Sequence, residues 1–162
     1  MEYSQLFGNF IVDNTNRRIL SILQYDSQIS MARLSERVGL SLSACHRRVK
    51  NLEAEGLIEG YGARLSREAL GLEIQVFIEV RLTSQRQEDI QAFETAIARM
   101  PEILECHLVS GELDYLMRVT ARNTAAYADL YRNRISQIPS VLQIKTLLSL
   151  ATVKEFRGYH LD

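Results

Sequence analysis

The run Gly39-Leu40-Ser41-Leu42-Ser43-Ala44-Cys45-His46-Arg47-Arg48-Val49-Lys50-Asn51-Leu52 contains no acidic residue. Cys45, Val49 and Leu52 recur at i, i+4 and i+7, the spacing of one helical face. Ser43, His46, Arg47, Arg48, Lys50 and Asn51 lie off that stripe, and Glu53 and Glu55 return only at its far end. A helix with one apolar stripe and a basic, hydrogen-bonding remainder suits a DNA major groove. Arg can bond guanine in a bidentate way and Asn can do so with adenine. Lys and further Arg can neutralise phosphates. A solvated surface helix also carries charge, so the neighbouring residues decide the reading.

Upstream, Asp13 can cap a helix carrying Ile19, Leu20 and Leu23, because a short oxygen-bearing side chain accepts from the free amides of a first turn. Asp26-Ser27-Gln28 interrupts that pattern as a turn. Ser30 is a second cap, followed by Leu34 and Val38 on one face. Gly39 stands where a helix ends, since glycine accepts the left-handed conformation there. Ser41 or Ser43 caps the third helix and Gly56 ends it. Three short helices with a glycine turn between the second and third make a helix-turn-helix. Leu57 to Leu65 reads as an extended run broken by glycines, either a small wing or a linker. Ser66 to Gly71 reads as a helical turn closed by glycine.

Downstream, Ile74, Val76, Ile78, Val80 and Leu82 alternate with Gln75, Phe77, Glu79 and Arg81, a half-buried strand. Ile90, Phe93, Ile97 and Met100 then recur at helical spacing until Pro101, which lacks the amide a helix needs. A strand from Ile103 to Val109, a turn at Gly111 and a strand from Tyr115 to Thr120 follow. The pattern then repeats. Thr124 can cap a helix bearing Tyr127, Tyr131, Ile135 and Ile138, Pro139 closes it, and a last strand runs from Val141 to about Val153. The helix exits Met100-Pro101-Glu102-Ile103-Leu104 and Ile138-Pro139-Ser140-Val141-Leu142 match.

The expected fold is therefore α+β: an N-terminal (winged) helix-turn-helix over 1–62, a linker over 63–73, and a ferredoxin-like βαββαβ domain over 74–162. Its antiparallel sheet should carry both helices on one face. Phe77 and Leu147 would lie on the other face. A broad apolar face does not stay wet, so a second copy of the chain is its simplest cover. A homodimer also lets two recognition helices read two half-sites.

Composition is that of an ordinary globular protein, with 162 residues and a formal net charge of −1. No apolar run is long enough to span a bilayer. Met1-Glu2-Tyr3-Ser4-Gln5 has no basic region leading into an apolar stretch, so the expectation is a cytoplasmic protein with no secretion signal and no membrane. Cys45-His46 and Cys106-His107 are adjacent pairs, not converging metal-ligand spacings. No metal, cofactor or catalytic residue is expected, and the cysteines read as buried free thiols.

Two stretches resemble the Lrp/AsnC, or feast/famine, family of transcription regulators. Val38 to Ile58 looks like that family's turn and recognition helix. Glu105-Cys106-His107-Leu108-Val109-Ser110-Gly111-Glu112-Leu113-Asp114-Tyr115-Leu116 looks like the signature of its sensing domain. Leu42 stands where the family often has proline, and Asn16 where it often has aspartate. The resemblance implies binding to double-stranded operator DNA, dimers assembling to tetramers or octamers, and an amino acid or related small molecule bound near the turn after the second strand. On DNA the candidate residues are Ser43, His46, Arg47, Arg48 and Lys50, with one of the two arginines reading a base and the other gripping a phosphate. For the effector they are Ser110, Gly111, Glu112, Leu113 and Asp114. Backbone amides beside Gly111 could hold a carboxylate and Asp114 an ammonium, while Leu113 suits interface packing. Two other functions fit the same fold in principle: an effector-independent architectural DNA-binding protein, and a ferredoxin-like enzyme, for which no nucleophile motif or phosphate loop is present.

Overall fold

Side-chain oxygens start each of the first three helices. The computed structural model describes residues 12–161; the reading of Met1 to Gln5 lies outside them. Helix α1 spans Asn14–Leu23, α2 Met31–Val38 and α3 Leu42–Ala54. Asp13 accepts the Asn16 amide at 2.7 Å, Ser30 that of Arg33 at 3.3 Å, and Ser41 that of Ala44 at 3.3 Å. Each cap satisfies an amide that its helix cannot. Gly39 and Gly56 end α2 and α3 with φ of 73°, where a side chain would be strained. Ile19, Leu23, Leu34, Val38, Cys45, Val49 and Leu52 form the core of this bundle. No strand forms over 57–65, so that run is an extended connection.

The described chain divides into two compact units, one of residues 12–64 with 154–161 and one of Leu65–Val153. The segment from Lys154 onward, which the sequence pattern carries with the second domain, therefore groups with the helix-turn-helix. A pair of hydrogen bonds ties it there. Gln24 Nε2 donates to the Tyr159 carbonyl at 2.9 Å, and the Tyr159 amide donates to Gln24 Oε1 at 2.8 Å.

In the second unit, β1 spans Ile74–Leu82, α4 Gln87–Ile97, β2 Ile103–Leu108, β3 Tyr115–Ala121, α5 Thr124–Asn133 and β4 Val141–Leu148. The sheet order is β2-β3-β1-β4, with every neighbouring pair antiparallel. This is the expected split βαβ arrangement. Val76, Ile78, Val80, Met117 and Val119 share one buried cluster with Phe93 and Ile135, and residues of both α4 and α5 pack against it. Both helices thus cover the same face.

Three details differ from the expected elements. The cap of α5 is Asn123, which accepts the Ala126 amide at 2.9 Å, not Thr124. Helix α5 stops at Asn133, and Ile135 sits in a separate 3-10 turn, Ile135–Gln137. Strand β4 stops at Leu148, which pairs with Val76, and the Ser149 amide still reaches the Gln75 carbonyl at 2.9 Å.

The face of the sheet away from the helices carries one transverse row in which Glu105, Arg118, Phe77 and Leu147 are successive cross-strand partners. Arg118 pairs with Glu105, and in the next row Lys145 pairs with Glu79 at 3.1 Å. Among the described residues no helix is long and apolar enough to cross a membrane.

Candidate nucleic-acid interface

Helix α3 presents two faces. Cys45, Val49 and Leu52 are at most 1 % exposed. Ser43, His46, Arg47 and Lys50 are all exposed. These four stand at i, i+3, i+4 and i+7, so they form a single row along the helix. At about 100° per residue, that row lies nearly opposite the buried stripe. Arg47 makes no hydrogen bond or ion pair with any described residue. Lys50 Nζ is 2.7 Å from Glu53 Oε2, and Glu53 also accepts the Tyr61 hydroxyl at 2.9 Å. Those two donors hold the Glu53 carboxyl below its usual range. Burial, aided by the Glu53 carboxylate, pushes the Tyr61 phenol up to about 12. This acidic neighbour of the row's last turn is therefore partly neutralised by its own chain.

Arg48 is placed differently from the other four predicted contacts. It is half-buried at the flank of the stripe, about 60° around the helix from Cys45. Its Nη1 donates to Asp13 Oδ2 at 2.7 Å and to Asn16 Oδ1 at 2.9 Å. The wheel position was available in the sequence, but the acceptors on α1 are more than thirty residues away and only the fold brings them near.

The turn between β2 and β3 is closed by the Val109 amide donating to the Asp114 carbonyl at 2.9 Å. Gly111 has φ of 137°, outside the range side chains favour. Ser110, Gly111 and Glu112 are exposed and Leu113 is half-buried. Both carboxylate oxygens of Asp114 are engaged within the chain: Oδ2 accepts the Leu82 amide at 2.7 Å and Oδ1 accepts from Gln85 Nε2. The expected ammonium partner is thus occupied in building the turn.

Cys106 packs against the sheet core while His107 is exposed, so the two point to opposite faces. Burial pushes the Cys106 thiol up to about 11, which leaves little thiolate at neutral pH. Among the described residues no group of three or more His, Cys, Asp or Glu is placed to hold a metal ion. A cleft of about 1090 Å³ in the first unit, lined by Leu20, Leu23, Ile58 and Phe156 among others, includes none of the predicted site residues.

Comparison with known proteins bears on both units. Residues 12–59 match a winged helix-turn-helix DNA-binding model. Residues 75–159 match the Lrp/AsnC ligand binding domain. The chain belongs to the Lrp/AsnC family of transcription regulators. It is 38% identical over 144 residues to the leucine-responsive regulatory protein of Escherichia coli K12, covering 89% of this chain and 88% of that one. It is 36% identical to the proline dehydrogenase transcriptional activator of Rhizobium radiobacter, covering 89% and 92%. A transcriptional regulator of Neisseria meningitidis, solved in complex with L-methionine, superposes with a TM-score of 0.88 at 31% identity, covering 93% and 97%. As a member of the Lrp/AsnC family, the protein is a DNA-binding regulator with a ligand-binding domain, and the mixed α+β fold is the family's own.

Proposed function

We propose that the protein is a sequence-specific regulator that reads duplex operator DNA with the Ser43, His46, Arg47 and Lys50 row of α3, and whose assembly and DNA occupancy respond to an amino acid. The observation that carries the DNA part is that row: exposed, basic and set opposite a fully buried stripe. Arg47, which has no hydrogen-bond or ion-pair partner among the described residues, is the base reader. Ser43 lies in the first turn of α3, where free amides and the helix dipole favour phosphate. Lys50 is a phosphate contact that leaves Glu53 on binding.

A homodimer formed through the open sheet face supplies two such helices to two half-sites. Phe77 and Leu147 give that face its apolar centre. Around them Arg118 is paired with Glu105 and Lys145 with Glu79, so covering this face does not bury those ions without a counter-charge. Further assembly to tetramers or octamers accompanies this. The effector lies at the turn over 110–114, where the amides beside Gly111 meet a carboxylate and Glu112 meets an ammonium. Asp114 shapes this turn without touching the ligand. The methionine complex of the Neisseria relative and the leucine response named for the Escherichia coli relative support an amino acid as the effector class.

The test is light scattering on a sizing column, with each of the twenty amino acids at millimolar concentration, starting with L-methionine and L-leucine. A multimer whose size or melting temperature shifts with one amino acid supports the reading. A multimer indifferent to all twenty overturns the amino-acid part and moves the protein toward effector-independent architectural binding.

A further inference from the structure

Arg48 lies on the recognition helix, yet its guanidinium is turned toward α1. One nitrogen, Nη1, bridges two acceptors, Asp13 Oδ2 at 2.7 Å and Asn16 Oδ1 at 2.9 Å. Asp13 is already committed at its other oxygen, where Oδ1 caps α1 through the Asn16 amide at 2.7 Å. A single carboxylate therefore starts α1 and grips α3. Both donors hold its carboxyl below the usual range, so the grip is ionic at neutral pH.

The side chains of Arg48 and Asp13 are 34% and 50% exposed. Exposed pairs of this kind contribute little to stability. What the pair fixes is an angle. The core stripe of α3 is Cys45, Val49 and Leu52, three smooth side chains that resist rotation only through packing. Side-chain tips stand about 6 Å from a helix axis, so a turn of about 20° moves them about 2 Å. That exceeds the tolerance of a hydrogen bond to a base edge, which weakens steeply outside a narrow range of distance and angle. Attraction to phosphates is less demanding.

We propose that Arg48 is a positioning residue: it locks the rotation of α3 to the first turn of α1 through Asp13 and Asn16, and sets sequence discrimination without contacting DNA. This rests on the reading of α3 as the recognition helix.

The full-length chain is titrated, at several KCl concentrations, against a duplex enriched by the wild-type protein from a random library and against an unselected random duplex. The variants are Arg48→Gln, Asp13→Asn, Asn16→Ala and the double Asp13→Asn/Arg48→Gln, with Arg47→Ala as the reference contact. Arg48→Gln and Asp13→Asn should each lower affinity for the selected duplex about ten-fold. Affinity for the random duplex and the salt slope should stay as in the wild type, and the double variant should be no weaker than either single one. Asn16→Ala keeps the ion pair and α1's cap, so it folds under any reading; it should lose selectivity by a smaller factor in the same direction. If Arg48→Gln lowers the salt slope by about 0.9 while Asp13→Asn and Asn16→Ala bind normally, Arg48 is a phosphate contact and the proposal is overturned. Normal selectivity in all four variants overturns it as well. If the wild type enriches no sequence, the recognition-helix reading fails first. If Arg47→Ala loses selectivity and the clamp variants do not, only the clamp fails.

Discussion

The carboxylate of Asp114 accepts the backbone amide of Leu82 at 2.7 Å, just past the last pairing of β1 with β3, Val80 with Tyr115. Beyond the end of that ladder the Leu82 amide has no strand partner, and the Asp114 side chain supplies one from the neighbouring turn. The Asp114 amide in turn donates to the Val80 carbonyl at 2.9 Å, so one residue closes two gaps. Replacing Asp114 with Ala should cost about 1–3 kcal/mol, the penalty for orphaning a part-buried amide. Asp114→Asn keeps an acceptor and should cost less. Urea unfolding of the two variants side by side checks the order, and equal losses would remove the Leu82 bond from the account.

Phe93 is fully buried and stacks on Tyr115 with ring centroids 4.5 Å apart. It is the largest of the fully buried side chains and joins α4 to the sheet. Phe93→Ala should destabilise the second unit by about 3–5 kcal/mol, transfer and cavity costs together. The variant's midpoint in urea gives the number. A loss under about 1 kcal/mol would mean that α4 collapses into the space.

Asp89 ties the end of β1 to the start of β4. Its carboxylate accepts the hydroxyls of Ser84 and Ser140, the latter at 2.7 Å, and those bonds hold its carboxyl below the ordinary 3.8. A carboxyl depressed in the folded state adds stability above its unfolded pKa, and that stability is lost as pH falls through the folded value. The contribution is therefore complete above 3.8 and fades below it. Asp89→Asn should flatten the acid limb of a stability-against-pH curve in that window and leave its neutral shape unchanged. An identical acid limb in the variant would assign the acid sensitivity elsewhere.

Gly158 has φ of 140°, and a Cβ there would lie 2.5 Å from Gln24 Oε1. Gly158→Val therefore strains its own backbone and pushes on the amide that binds Tyr159. The variant should release residues 154–161 from α1, seen as faster hydrogen exchange at the Tyr159 amide and earlier proteolytic trimming after Lys154. Gln24→Ala should do the same without the strain. Unchanged exchange in both would show that the two hydrogen bonds do not hold the segment.

Local chemistry made much of this fold legible. The caps at Asp13 and Ser30, the alternation from Ile74 to Leu82 and the stops at Pro101 and Pro139 all act within a few residues, and each sits where its residue type dictates. The misreadings involve either competing local choices or distant partners. Asn123 and Thr124 are adjacent and both can cap, and only the backbone geometry selects Asn123. Leu150 and Val153 continue an apolar pattern past Leu148, but nothing in the pattern marks where pairing with β1 ends, and both stay more than 90% exposed. That Ser43, His46, Arg47 and Lys50 share one exposed row was readable from helical spacing. That Arg48 leaves this row for α1, and that Asp114 spends its charge on Leu82, depends on residues far away in sequence.

The segment 154–161 belongs to the first unit yet follows all of Leu65–Val153 in the chain. Synthesis proceeds from the N-terminus at about 5–20 residues per second. The three helices of the DNA-reading unit are thus made seconds before the segment that bonds to Gln24. A chain cut short between Gly56 and Lys154 has the whole of α3 and none of this brace. Docking of 154–161 on Gln24 therefore has to wait until the whole of Leu65–Val153 has been made.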